Sequence, residues 1–295
     1  MDEAQHFINY HGERADDMTL YFGLIGEHLQ HSLSPGIHKL IFDRAGLDAC
    51  YHLFEIDPGN LKYAMTGLKV LGFGGVNVTI PYKSDIMKYI DSFSKEAQNI
   101  GAVNTIAFDN GRATGYNTDY TGFGDMLKSF DVQVAQKKAV VLGTGGASHA
   151  VVQYLIDNGA REIYLVTRNS SERREGIIHT MPLMSSNLVD YKQLELLPEM
   201  DILINCTPCG MFPDTGACPV TKNQIAKYQV AVALIYNPAE TMFLRYANEL
   251  GLKTLNGLYM LVSQAAAAEK VWNNITTNAE GIKDIYERLL YKSHH

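Results

Sequence analysis

The stretch KKAVVLGTGGASHAVVQYLIDNGAREIYLVTRN, residues 137–169, leaves this chain little freedom. An apolar run ends at a glycine turn, an amphipathic segment follows, and a second apolar run closes the unit. That is a strand, a tight turn, a helix and a parallel strand, in the roughly 30 residues that a βαβ crossover occupies. Strands joined this way belong to a parallel sheet whose two faces are covered by helices. Later apolar runs, DILINCT (201–207) and VAVALIY (230–236), continue the same sheet.

The turn itself, GTGGAS at 143–148, has the spacing of a dinucleotide loop. Gly143 and Gly145 permit a tight turn and a close approach of backbone amides to a pyrophosphate. Gly146, Ala147 and Ser148 then open a helix whose free N–H groups and dipole face an anion. Ser148 stands where Gly or Ala is usual, and it is still small enough for close packing. A purely structural turn is the alternative. An acid about 20 residues after such a loop would bind the ribose 2′-hydroxyl of NAD. Here the second strand ends in TRNSSE, with Arg168 and no acid. Arginine pairs with a 2′-phosphate, which favours NADP. If Arg168 is only a solvated surface residue, NAD fits as well.

The first third alternates strands and helices too. TLYFGLIG (19–26), YHLFEID (51–57) and GGVNVTI (74–80) read as strands. In the last, Val76, Val78 and Ile80 form one buried face, with Asn77 and Thr79 on the other. SPGIHKLIFDRAG (34–46) reads as a helix with Ser34 as N-cap, Pro35 at its first position and a closing glycine. GNLKYAMTGLKVLG (59–72) places Leu61, Met65, Leu68 and Leu71 on one helical face, and KSDIMKYI starts a third helix. GLYMLVSQAAAAEKVWNNIT (257–276) and EGIKDIYERLL (280–290) are helices that follow the second sheet and are free to pack back on the first domain.

At 295 residues the chain has room for two domains of ordinary size. The expected division is a polar extension over 1–18, an α/β domain over 19–120, a Rossmann-type domain over 121–256 and returning helices over 257–295. A net charge of −7 argues against nucleic acid or an anionic membrane as partner. No apolar run approaches the roughly 18 residues of a membrane span, and the acidic N-terminus is not a signal peptide. Four cysteines are too few for a disulfide scaffold, so a reducing cytoplasm is expected. Cys206 and Cys209 form a lone C-x-x-C without the second pair a zinc site needs, so no metal is expected.

Four polar stretches sit at expected strand ends: HSLSP (31–35), NVTIPYK (77–83), GAVNT (101–105) and GYNTD (115–119). Parallel sheets bind ligands at the carboxyl ends of their strands, so these stretches can line one cleft. Their hydroxyls, amides, lysine and carboxylate suit a small polyhydroxylated acid.

With GTGGAS, NCTPCGM (205–211) and GLYMLVSQA (257–265), these motifs occur in the order found in the shikimate dehydrogenase family, which the chain resembles from about residue 20 onward. The resemblance implies reversible NADPH reduction of 3-dehydroshikimate to shikimate, a step of chorismate and aromatic amino-acid biosynthesis. It implies that Ser32 and Ser34, helped by Tyr236, hold the substrate carboxylate. Thr79, Asn104 and Gln264 would bond the ring hydroxyls, and Lys83 and Asp119 would be the catalytic pair. Gly257 and Met260 would lie near the nicotinamide, as would the loop shaped by Asn205 and Thr207. Gly143, Gly145, Gly146, Ala147, Ser148 and Arg168 would cradle the rest of the NADP.

Chemistry supports the pair independently. Hydride delivery to a ketone leaves an alkoxide, which a lysine ammonium can stabilise and protonate. Asp119 would orient that ammonium. Oxidation needs Lys83 as a base and should speed up at higher pH. Blander roles exist: Lys83 as a solvated helix residue, or Asp119 as a helix cap. His31, His38 and His149 have no acid or metal partner visible in sequence, and Trp272 and Tyr259 read as core or interface. HSLSP and YNP also resemble the branch of the family that accepts quinate, often with NAD. A non-catalytic nucleotide sensor on the same fold is a further alternative, and a monomer or homodimer fits equally well.

Overall fold

The computed structural model of the protein describes residues 19–168 and 187–293. The expected N-terminal extension, and Asn169 and Ser170 after Arg168, lie outside the described residues.

The first sheet comprises β1 (Leu20–Gly26), β2 (Ala49–Glu55), β3 (Gly75–Val78), β4 (Ser92–Phe93), β5 (Thr105–Asp109) and β6 (Arg112–Tyr116). Their order is β2-β1-β3-β5-β6-β4. The β1 strand runs parallel to β2 and β3, and β4 parallel to β6. Strand β5 is antiparallel to both its neighbours. It turns into β6 through Asn110 and Gly111, both at positive φ (48° and 73°), the backbone that a two-residue hairpin requires. One consequence matters for the site. Because β5 runs backwards, its first residue, Thr105, lies beside Asn77 near the carboxyl end of β3, and the last residue of β6, Tyr116, pairs with Thr105 from the other side.

The second sheet comprises β7 (Lys138–Leu142), β8 (Glu162–Thr167), β9 (Leu188–Asp190), β10 (Ile202–Asn205), β11 (Val230–Ala233) and β12 (Lys253–Leu255). It is fully parallel, in the order β12-β11-β10-β7-β8-β9. The winding direction reverses at β7, so a crevice opens between the loops after β7 and β10, where doubly wound sheets bind nucleotides.

The helices are α1 (Ser34–Ala45), α2 (Leu61–Val70), α3 (Lys95–Ile100), α4 (Thr118–Ser129), α5 (Gly146–Asp157), α6 (Lys222–Ile225), α7 (Met242–Glu249), α8 (Leu258–Asn273) and α9 (Ala279–Ser293). Helix α8 returns to the first sheet. Trp272 donates to the Ile106 carbonyl at 2.9 Å and stacks on Phe22, with ring centroids 4.9 Å apart. A β-carbon at Gly75 would stand 2.1 Å from the indole nitrogen, so the strand must be bare there. Helix α4 is the shared element. A β-carbon at Gly122 would meet the Met260 carbonyl of α8 at 2.7 Å, and one at Gly124 would meet the Tyr154 ring of α5 at 2.3 Å.

Several local expectations are corrected. Leu33 occupies the N-cap position of α1, and Ser34 is its first helical residue with no capping bond from its side chain. Leu71 follows the end of α2 and is 72% exposed, because the chain turns at Gly72 with φ 74°. The third helix is a 3₁₀ turn, Asp85–Tyr89. Asn117, not Asp119, occupies the N-cap position of α4. Strand β3 is buried on both faces, Asn77 included, and ends before Ile80, which is 55% exposed. Among the described residues, no helix is long and apolar enough to cross a membrane.

Candidate active site

Lys83 and Asp119 meet at the carboxyl edge of the first sheet. After β3, Thr79 accepts from the Tyr82 amide in a tight turn containing the cis Ile80–Pro81 peptide. Tyr82, 1% exposed, anchors the turn inward and donates to the Ile56 carbonyl. The next side chain, Lys83, therefore faces the cleft. Its Nζ lies 2.5 Å from Asp119 Oδ2, with the two side chains 12% and 7% exposed. Solvent screens a contact this sheltered less than a surface pair, while desolvation of both groups offsets the gain, so its use is to fix direction.

Asn104 braces the carboxylate. Its Nδ2 donates to Asp119 Oδ1 at 2.9 Å and to Thr118 Oγ1 at 3.0 Å, while its Oδ1 accepts from the Thr118 amide at 2.6 Å. Gln264, on α8, accepts from Asn104 Nδ2 at 3.4 Å and donates to the Leu261 carbonyl of its own helix at 2.8 Å. Thr79 closes the wall beside Gly26, where a β-carbon would stand 2.7 Å from the threonine methyl.

A second group gathers at the other end. Ser34 is buried, and its amide donates to Ser32 Oγ at 3.3 Å. Tyr236, from the loop after β11 of the second sheet, comes up beside the Ser32 hydroxyl and the Leu33 backbone. Burial outweighs these polar neighbours and raises the Tyr236 phenol above its ordinary value, so it keeps its proton near neutrality. Three hydroxyls with no lysine or arginine among them can hold a carboxylate by hydrogen bonds.

The nucleotide loop lies directly opposite. Gly143, at φ 100°, adopts a backbone that favours glycine, and a β-carbon there would come 2.9 Å from the Thr207 methyl across the crevice. Gly145 opens onto free space, room for a ligand at the N-terminus of α5. Ser148 is buried and donates to the Gly145 carbonyl at 2.7 Å, which ties the loop to the first turn of the helix. These features fit a dinucleotide pyrophosphate. Arg168 follows β8 and is exposed. Thr207 Oγ1 donates to Asn205 Oδ1 at 2.6 Å. A β-carbon at Gly257 would come 2.0 Å from the Leu234 carbonyl, so that backbone is pressed against β11's loop. Met260 is buried, with its carbonyl against Gly122 of α4.

The two halves touch at the chemistry. A β-carbon on Gly146 would lie 2.7 Å from Lys83 Cβ. Cys206, after β10, is half-buried close to Asp119 and Lys83. Burial and the Asp119 charge push its thiol well up against the pull of Lys83, so it is no nucleophile. His149 reaches back to the nucleotide loop, where it interacts with the Thr144 backbone. It is buried, with Nδ1 3.1 Å from the Ile100 carbonyl. Among the described residues, no cluster of side chains could hold a metal ion.

Sequence reasoning missed three members of this neighbourhood. Thr118 bonds Asn104, and Tyr51 donates to Asn77 Oδ1 at 2.7 Å. His38, which shows no partner in its own stretch of sequence, lies 2.5 Å from Glu269, 231 residues away. The one available signal was Asn77, a polar residue inside a strand as apolar as β3.

The family model described as "Shikimate dehydrogenase substrate binding domain" matches residues 24–106, and "Shikimate / quinate 5-dehydrogenase" matches 126–211. A Clostridium perfringens protein named shikimate dehydrogenase (NADP(+)) is 44% identical over 268 residues, 91% of this chain and 97% of its own. The crystal structure of a chorismate mutase/shikimate 5-dehydrogenase fusion protein from Clostridium acetobutylicum superposes with a TM-score of 0.87 at 47% identity, covering 94% of this chain and 100% of that one. The Thermus thermophilus shikimate 5-dehydrogenase in complex with NADP(H) and shikimate gives 0.81 at 32% identity, covering 92% and 99%. The motifs, the two-sheet fold and these similarities agree: the chain belongs to the shikimate dehydrogenase family.

Proposed function

We propose that this chain is an NADP-dependent shikimate dehydrogenase, interconverting 3-dehydroshikimate and shikimate. The observation that carries the reading is the sheltered Lys83–Asp119 pair set directly against the nucleotide loop at Gly146. The Clostridium perfringens relative is named for NADP(+), and the Thermus thermophilus one was solved with NADP(H) and shikimate. A division into a substrate domain over 19–120, a nucleotide domain over 121–256 and returning helices from 257 matches this use of the two sheets.

When bound, NADPH would supply the hydride, and every other task falls to the chain's own side chains and backbone. Ser32, Ser34 and Tyr236 hold the carboxylate, while Thr79, Asn104 and Gln264 bond the ring hydroxyls. Lys83 Nζ stabilises the developing alkoxide and gives it a proton. Asp119, its Oδ1 occupied by Asn104, presents Oδ2 to the ammonium and fixes its direction. In the oxidative direction Lys83 takes the proton back. The glycine loop with Ala147 and Ser148 receives the pyrophosphate, Arg168 the 2′-phosphate, and Thr207, Gly257 and Met260 border the nicotinamide.

Quinate as substrate is the second reading, favoured by the YNP segment beside the serine loop. Steady-state rates on shikimate and quinate, each with NADP and NAD, test both. Turnover of shikimate with NADP as the best pair is expected. A clear preference for quinate and NAD would select the second reading, and nucleotide binding without turnover of any cyclic hydroxy acid would exclude both.

A further inference from the structure

Thr105 opens β5 and is wholly inaccessible, so it cannot touch substrate itself. Valine would fill that place in a strand with the same shape and no hydroxyl to satisfy. The polar groups around it are nearly as sheltered: Asn77, Asn104, Thr118 and Asp119 are 4%, 2%, 4% and 5% exposed. The sheet brings them together. Thr105 pairs with Asn77 of β3 on one side and with Tyr116 of β6 on the other, two residues before Thr118 starts α4. A hydroxyl this deep is tolerated only when hydrogen-bonded, so the path of its proton shows what it is for.

One group of known polarity settles that path. The Asn104 backbone carbonyl can only accept, so the Asn77 side-chain atom 3.2 Å from it is Nδ2. The same nitrogen donates to Thr105 Oγ1 at 2.9 Å, and Asn77 Oδ1 is left to accept from Tyr51 at 2.7 Å. With Asn77 donating into it, the Thr105 hydroxyl has its own proton to give. Two acceptors are in reach, Asn104 Oδ1 at 3.1 Å and Thr118 Oγ1 at 3.0 Å. If the proton goes to Thr118, the Thr118 proton goes on to Asn104 Oδ1 at 3.2 Å. Either way a hydroxyl proton ends on Asn104 Oδ1, beside the Thr118 amide proton, whose nitrogen is 2.6 Å away. That end of the Asn104 amide is the acceptor end, and Nδ2 is the end turned to Asp119 Oδ1 at 2.9 Å. A rotated amide would set its oxygen against the carboxylate instead.

We propose that Thr105 is a positioning residue for the proton transfer. Its hydroxyl, engaged from below by Asn77, holds the Asn104 amide in the one orientation that aims Asp119, and Asp119 in turn aims the Lys83 ammonium. The line of contacts crosses from β3 through the start of β5 to the tip of α4, so it carries the register of the sheet into the direction of one ammonium. This rests on the functional reading above and adds to it a residue that acts on turnover without meeting substrate.

Thr105→Val removes the hydroxyl and keeps the shape. The kcat for shikimate oxidation is expected to fall about tenfold, the worth of one hydrogen bond, with KM for shikimate within about threefold and KM for NADP+ unchanged. Thr105→Ser returns the hydroxyl and should bring kcat back to within about threefold of the parent, although it leaves a methyl-sized gap. A merely structural role gives the reverse order, because valine packs there and serine does not. In an Asp119→Ala background there is no carboxylate to aim, so adding Thr105→Val should cost less than about twofold more. A Thr105→Val kcat within about twofold of the parent, a Thr105→Ser variant no better than Thr105→Val, or an undiminished loss in the Asp119→Ala background overturns the proposal. An unsubstituted enzyme that turns over no cyclic hydroxy acid overturns the functional reading and this role with it, whereas an active parent indifferent to loss of the hydroxyl overturns this role alone.

Discussion

Lys83 faces two ways: its Nζ meets Asp119, while its β-carbon sits against Gly146 of the other half. Removing the ammonium should cost the proton transfer and leave the binding groups in place. Lys83→Ala is expected to lower kcat by about 100-fold or more with a modest change in KM, as steady-state kinetics will read. Arg168 acts at the far end of the cleft. Arg168→Ala should raise KM for NADP+ by about tenfold and leave NAD little changed, because only the first carries the 2′-phosphate. Equal losses for both cofactors would show that Arg168 does not read that group. At this scale the polar residues were legible, since an asparagine, a lysine or an arginine at a strand end has few bland uses. Ile80 was not. Its alternation with Val78 continues on paper, but the strand stops first and the side chain turns outward.

Among the elements, α5 shows how little space the site leaves. A methyl at residue 146 would overlap the Lys83 stem, yet alanine is a better helix former than glycine. Gly146→Ala should therefore keep its melting temperature while kcat falls about 10- to 100-fold through misplacement of the lysine. Retained kcat would show that the overlap is relieved without moving the reacting groups. The βαβ unit from β7 to β8 was legible because its strands, turn and helix are consecutive. The β5–β6 hairpin carried its own signal in Asn110-Gly111. It was overshadowed by the alternation of strands and helices around it, and without it the shared edge of β3, β5 and β6 stays hidden. The His38–Glu269 contact, by contrast, leaves no local trace, since it depends on how α8 returns over the sheet.

For the molecule as a whole, the junction between the halves is also a source of acid sensitivity. His149 on α5 bonds the Ile100 carbonyl at the end of α3. Its pKa is lowered, chiefly by burial, against the upward pull of backbone bonds at Ile100 and Thr144. As pH falls below the ordinary histidine value of about 6.5, the unfolded chain takes up a proton that the folded one refuses. The contribution is thus complete above that pH and lost below it. The melting temperature should drop between about pH 7.5 and pH 5.5, and His149→Asn, which keeps a donor without titrating, should drop less. A final consequence belongs to α4, pressed bare against α8 on one side and α5 on the other. Asp119 rides at its tip, so the helix is a lever of 12 residues, about 18 Å long. A swing of some 5° about its far end would carry the carboxylate roughly 1.5 Å, more than enough to part it from the ammonium. Because Asn104 also ties Asp119 to the first half, such a swing would strain the ion pair and the Asn104 bond together.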